Sequence, residues 1–313
     1  MKVAFVFPGQ GSQYVGMGRE LYSSFSEAKE VFKRADEALG FPISSLCFEG
    51  PEDELNKTVN TQPAVLTVSV ACLEVLKVKG GGVPAAVAGH SLGEYTALVA
   101  AGSLTFEDAV RLVHKRGRYM QEAVPLGKGG MAAVLGLSAE AVAEVCRKAS
   151  SEGIVEPVNL NCPCQVVVAG DIAGLKAAEL LSKEAGARRF ISLPVSAPFH
   201  SSLMKPAGER LAMDLAEVVV GDPAIPVVAN VSADFVHTGK EVKEALIRQV
   251  YSPVRWEESI LRLISSGINT FVEVGPGKVL SGLIKKISRE VSVYNIEDKD
   301  SLEKVLALTG EVG

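Results

Sequence analysis

One tryptophan, four histidines and five cysteines are all that 313 residues contain of these types. The cysteines (Cys47, Cys72, Cys146, Cys162, Cys164) are odd in number and form no CxxC pair. Cys162 and Cys164 make only a CxC without two further ligands, so neither a disulfide framework nor a structural zinc site is expected. Inert thiols in a reducing cytoplasm fit better. Long apolar runs are missing as well. The longest, residues 85–102, is interrupted by His90 and Glu94, short of the roughly 18 residues of a membrane span. No signal-peptide core or cleavage site precedes the strand-like Val3–Phe7, so a cytoplasmic, membrane-free protein is expected. Charge of one sign is lacking too. Lys plus Arg is 32 against 37 for Asp plus Glu, and a net charge of −5 gives no global reason to bind nucleic acid. There is no internal repeat or low-complexity tract. With 47% hydrophobic and 22% charged residues, the composition excludes disorder, a collagen-like fibre and a coiled-coil rod.

The chain is long enough for one or two domains and for a substantial core without staples. Short β-rich runs alternate with helical periods, which predicts an α/β fold. Val3–Phe7 reads as a buried strand. From Leu21 the apolar residues Leu21, Phe25, Ala28, Phe32, Ala35 and Leu39 trace one face of a single helix, ended by Gly40 and Pro42. Residues 64–76 read as a buried helix and 85–88 as a strand. Between Gly127 and Val195 the order changes: strand 131–137, helix 139–149, strands 155–160 and 165–169, helix 172–184, strand 189–195. That β-α-β-β-α-β order is the ferredoxin-like motif. The expected architecture is a larger hydrolase-like α/β body with a parallel sheet, residues 1–126 and 196–313, into which a ferredoxin-like small domain, residues 127–195, is inserted. The body resumes with strand 226–231, a helix from Glu241, strand 270–274 and a helix after Gly277.

Gly89-His90-Ser91-Leu92-Gly93 matches G-x-S-x-G, and its context carries more weight than its letters. An apolar strand leads in and a helical stretch, residues 94–101, leads out. Such a turn lifts a serine hydroxyl clear of the sheet beside unpaired helix-terminal N–H groups. These can hold the oxyanion of a tetrahedral intermediate. The plainer alternative is a glycine turn whose serine caps the helix. A nucleophilic serine needs a base. His90 adjoins the serine and points away from it, and His114 sits among Arg111, Lys115, Arg116 and Arg118 on what reads as a solvated face. His200, on the proline-stiffened loop Pro194-Val195-Ser196-Ala197-Pro198-Phe199-His200, is better placed than His237 in its polar segment, and spacing alone leaves both open.

Five ordered motifs then become recognisable: Phe7-Pro8-Gly9-Gln10-Gly11-Ser12-Gln13, Gly89-His90-Ser91-Leu92-Gly93-Glu94, Arg116-Gly117, Ala197-Pro198-Phe199-His200 and Glu273-Val274-Gly275-Pro276-Gly277. Nearly end to end, the chain resembles the malonyl-CoA:acyl carrier protein transacylase family of fatty acid synthesis. It is also similar to the acyltransferase domains of polyketide and animal-type fatty acid synthases. The resemblance implies Ser91 as nucleophile and His200 as base, with the backbone carbonyl of Gln249 in place of an acidic third member. It implies an oxyanion hole from the backbone N–H groups of Gln10 and Leu92. Arg116 would hold the malonyl carboxylate through two parallel hydrogen bonds, which lysine cannot make. His90, Met120 and Phe199 would line the pocket, Phe199 giving the Phe-His pair associated with malonyl-selective domains. Malonyl-CoA and holo acyl carrier protein are the implied partners, with no cofactor, no metal and a stand-alone monomer. Arg188, Arg189, Lys285, Lys286 and Arg289 are candidates for meeting the acidic carrier and CoA phosphates.

Two rivals compete. A serine esterase or thioesterase of the α/β-hydrolase type would share the elbow and place an acid between serine and histidine. Asp171, Asp222 or Asp234 with His237 would have to serve, leaving Gln10, Arg116 and Phe199-His200 unexplained. A docking subunit with a vestigial site is disfavoured because serine, histidine and arginine are all present.

Overall fold

The computed structural model describes residues 2–195 and 197–310, with side chains as far as residue 307. Among the described residues, ten strands form two sheets. The first contains β1 (Val3–Phe7), β2 (Ala86–Gly89), β7 (Val227–Ala229), β8 (Asp234–Val236), β9 (Thr270–Val274) and β10 (Ser292–Ile296), in the order β10-β9-β1-β2-β7-β8. All its pairs are parallel except β7 with β8. The second contains β3 (Gly129–Leu135), β4 (Val155–Cys162), β5 (Gln165–Asp171) and β6 (Arg189–Ser192), fully antiparallel in the order β4-β5-β3-β6. Its helices, Ala139–Ala149 and Ile172–Glu184, share one apolar layer with it.

Alternation along β1 shows why the first sheet lies between two helical layers. Phe5 and Phe7 join the layer of the long helix Thr58–Val78, together with Ser26–Leu39 and Phe106–Glu122. Ala4 and Val6 face the other layer, built from Trp256–Ser265 and Val279–Ile287. Thr58–Val78 is long and apolar enough to cross a membrane, and it is packed inside this core instead, starting six residues before the expected boundary.

The single helix expected from Leu21 is two helices, Arg19–Ser24 and Ser26–Leu39, broken where Phe25 adopts an extended conformation. Both pieces present apolar residues to the same core, so the periodicity runs through the break and conceals it. β6 stops at Ser192, three residues earlier than expected. His114 is not on a fully solvated face. It is half-buried with its ring 5.3 Å from that of Phe41, and burial lowers its pKa.

Candidate active site

The central turn follows β2 and opens the helix Gly93–Ala100. Gly93 is required there. A Cβ would stand 2.1 Å from the carbonyl oxygen of Phe7 at the end of β1, so only hydrogen lets the turn pass beneath the loop that carries Gln10. Ser91 takes φ +53°, a left-handed conformation that costs a non-glycine residue on the order of 1 kcal/mol or more. Asn230, just past β7, holds it there: its Oδ1 accepts from Ser91 N at 2.7 Å, and its Nδ2 donates to the carbonyl of Gly89 at 2.7 Å.

His200 reaches this turn from the segment after β6 and is 4% exposed. Its Nε2 lies 2.7 Å from Ser91 Oγ, and its Nδ1 lies 2.8 Å from the backbone carbonyl of Gln249. Gln249 ends the helix Gly239–Gln249, where carbonyls lack intrahelical donors and can accept from outside. Since a carbonyl only accepts, Nδ1 carries the proton and Nε2 presents a lone pair to the serine hydroxyl. Burial first, and then the positive charge of Arg116, lower the His200 pKa to about 3. The imidazole is therefore neutral near pH 7, as a proton acceptor must be.

Arg116 comes from the helix Phe106–Glu122. Its neighbour Gly117 allows that helix to approach closely, since a Cβ there would come within 2.6 Å of the carbonyl of Thr58. Only 1% of Arg116 is exposed. Its Nη1 donates to Gln62 Oε1 at 2.6 Å, and its Nη2 donates to Gln249 Oε1 at 2.8 Å and to Ser91 Oγ at 3.1 Å. Tyr95 lies with its ring centre 5.6 Å from the guanidinium carbon. Among the described residues Nε has no acceptor and no carboxylate lies within ion-pair distance. A buried cation held only by neutral oxygens is costly until an anion arrives. A ligand carboxylate entering beside Ser91 would relieve that cost.

Gln10, His90, Ser91, Leu92, Arg116, Met120, Phe199 and His200 line one cavity of about 100 Å³, with Gln249 behind it. It adjoins an outer pocket of about 600 Å³ through Gln10, Leu193, Val195 and Phe199. The backbone N–H groups of Gln10 and Leu92 find no acceptor among the described residues. His90 Nε2 pairs with Asn161 Oδ1 at 2.9 Å, and burial lowers its pKa. The rival histidine is elsewhere. His237 is exposed, and its amide donates to Glu241 in a helix cap. Asp171 caps the helix Ile172–Glu184, Asp222 accepts from Gly239 N and Asp234 pairs with Arg262. None is available to orient His200.

Sequence reasoning missed Gln62, Glu94, Tyr95, Asn161 and Asn230. For Asn230 a signal existed, since it follows a strand end beside the nucleophile strand, where α/β sheets place their sites.

Relatives match nearly the whole chain. A malonyl CoA-acyl carrier protein transacylase of Bacillus subtilis (strain 168) is 54% identical over 303 residues, covering 96% of this chain and 95% of its own. The crystal structure of an acyl-carrier-protein S-malonyltransferase from Burkholderia pseudomallei 1710b superposes with a TM-score of 0.96 at 50% identity, covering 98% of this chain and all of that one. A type II PKS acyl-carrier protein complex with its malonyl-transacylase also superposes with a TM-score of 0.96, at 44% identity, covering 98% of this chain and 100% of that one. The acyl transferase domain model matches residues 4–305. With a family model and a relative of 54% identity both matching nearly its whole length, the chain belongs to the acyl transferase domain family.

Proposed function

We propose that this protein moves the malonyl group of malonyl-CoA onto the phosphopantetheine thiol of acyl carrier protein, supplying the extender unit of fatty acid synthesis. The observation that carries this reading is the buried Arg116, with no carboxylate at ion-pair distance among the described residues and 3.1 Å from Ser91 Oγ, which in turn is 2.7 Å from His200. The reaction is ping-pong. Ser91 Oγ attacks the thioester carbonyl as its proton passes to His200 Nε2, and the oxyanion is held by the N–H groups of Gln10 and Leu92. CoA leaves as its thiol, taking that proton. The carrier thiol then gives its proton to His200 and attacks malonyl-Ser91, and Ser91 regains the proton as the product leaves. The Gln249 carbonyl keeps the imidazole aimed throughout. A malonyl carboxylate on Arg116 offsets the positive charge that holds His200 down, so the correct donor strengthens its own base.

The antiparallel sheet with its two helices is read as a ferredoxin-like domain of residues 127–195 inserted into a body of 1–126 and 196–313. The order β4-β5-β3-β6 supports this, since it is the strand order of that motif. Carrier docking falls to Arg188, Arg189, Lys285, Lys286 and Arg289. Arg189 and Gln165 flank Leu135 in register at one end of that sheet, and Lys286 Nζ lies 3.1 Å from Gln165 Oε1, which gathers these cations. The protein acts as a monomer, since one chain supplies the whole constellation. Its exposed thiol, Cys164, suits a reducing cytoplasm.

Arg116→Ala tests the reading. Losing a desolvated charge partner of the substrate should cut kcat/KM with malonyl-CoA by about 100-fold. The uncharged donor acetyl-CoA should be affected far less. Equal losses with both donors would refute the carboxylate clamp.

A further inference from the structure

Glu94 is buried to 2% exposure one residue into the helix that follows the nucleophile, and among the described residues it has no ion-pair partner. Its Oε2 accepts two hydrogen bonds, from Asn230 N at 2.9 Å and from Gln249 Nε2 at 2.8 Å. Each of those residues in turn holds reacting groups. Asn230 clasps both ends of the strained serine turn through Ser91 N and Gly89 O. Gln249 does more: its Nε2 also donates to Ser91 O at 3.0 Å, its Oε1 accepts from Arg116, and its backbone carbonyl orients His200. The side chains of Arg116 and His200 and the backbone of Ser91 therefore converge on one glutamine, and the NH₂ of that glutamine's amide is held by the Glu94 carboxylate and the Ser91 carbonyl.

The anchoring has a definite sense. A side-chain amide has two similar ends, and only its surroundings decide which faces where. Arg116 can only donate, so it requires the Oε1 end of Gln249. Glu94 Oε2 accepts, so it requires the Nε2 end. Without an acceptor at position 94 the NH₂ end keeps only Ser91 O, so one of the two acceptors that hold the amide in its sense is gone and its Oε1 end shifts against the guanidinium. Burial first of all raises the Glu94 carboxyl pKa to about 7, so both protonation states exist near neutrality. Both keep Oε2 as an acceptor when the proton sits on Oε1, so acceptance rather than charge is the constant contribution.

We propose that Glu94 is a positioning residue for acyl transfer, fixing through its two accepted hydrogen bonds the amide of Gln249 and the backbone of Asn230, and thereby the aim of Arg116 at the donor's carboxylate. The inference rests on malonyl transfer as the reaction. Two variants separate acceptance from bulk: Glu94→Gln keeps an acceptor, and Glu94→Met keeps the length without one. Steady-state transfer from malonyl-CoA and from acetyl-CoA is measured for both, beside thermal melting. Because misplacement of about 1 Å costs about 100-fold, Glu94→Met should lose about that factor in kcat/KM with malonyl-CoA. With acetyl-CoA, which offers Arg116 no carboxylate, the loss should be markedly smaller. Glu94→Gln should stay close to wild type with both donors. A merely structural role would lower the melting temperature and leave the malonyl-to-acetyl ratio unchanged. A folded Glu94→Met with the wild-type ratio, or a Glu94→Gln as impaired as Glu94→Met, overturns the proposal. Should Glu94→Met not fold, the same ratio is read on Glu94→Asp, whose carboxylate is one methylene short of both donors, and an unchanged ratio there overturns it equally. If the wild-type protein itself transferred no malonyl group, it would be the assigned reaction that failed.

Discussion

Ser91 and His200 are 109 positions apart in the chain and 2.7 Å apart in space. The serine was legible because its motif is local, a strand, a tight glycine turn and a helix. Arg116 was not separable from Arg111 or Arg118 until the family resemblance was used, although its helix carries a signal. Leu112, Val113 and Met120 fall on the buried stripe with Arg116, whereas Arg111 and Arg118 fall outside it. A charge on an apolar stripe is a buried charge, and a buried charge needs a partner. Glu94 escaped for the opposite reason, since its partners come from residues 230 and 249 and no local pattern announces them. The burial of His200 makes its own prediction. With its pKa held down to about 3, it stays an acceptor well below the pH where an ordinary imidazole titrates. Acylation of Ser91 should therefore keep a flat rate from pH 8 to about pH 5, where a base of pKa about 6.5 would already have lost over tenfold. Stopped-flow release of CoA would record it, and an inflection near 6.5 would show that the base is not held as described.

At the scale of elements, strands flanked by glycine turns were read well, and β1 and β9 match the expected limits. β8 and β10 were missed because they are edge strands of the first sheet, mostly exposed or half-buried, so they lack the apolar run that marks β1 and β9. The break at Phe25 was hidden because packing against one core preserves the period across it. The helix Gly239–Gln249 links element to site most directly, since the backbone carbonyl of its last residue lies 2.8 Å from His200 Nδ1. It begins with a capping box in which Thr238 accepts from Glu241 N and Glu241 reaches back. Thr238→Ala should therefore cost about 1 kcal/mol of stability in a denaturant titration. The transfer rate should hardly move, because tertiary contacts and not the cap fix the far end of the helix. A large loss of transfer at unchanged stability would mean that the cap steers Gln249.

For the whole molecule, the site depends on segments that the chain separates widely. The loop after β1, the turn after β2, the segment after β6 and the end of a late helix meet at the carboxyl ends of parallel strands, as open α/β sheets place their sites. β4 is stitched to the segment that follows Gln249: Leu160 N donates to Val254 O at 2.9 Å, and Val254 N, five residues beyond Gln249, donates to Val158 O at 2.8 Å. That stitch was not legible, because it joins backbone to backbone across nearly a hundred residues and leaves no side-chain pattern. The central claim is that malonyl-Ser91 passes its acyl group to a carrier thiol and not to water. Its most direct test is a chase: the protein is loaded with malonyl-CoA, freed of donor, and split between buffer and holo acyl carrier protein, with Ser91→Ala in parallel and intact masses read over time. The account predicts a malonyl-sized adduct on the wild-type protein alone, persisting in buffer and discharged onto the carrier. Release of free malonate at the same rate with and without carrier would contradict it and make the protein a hydrolase.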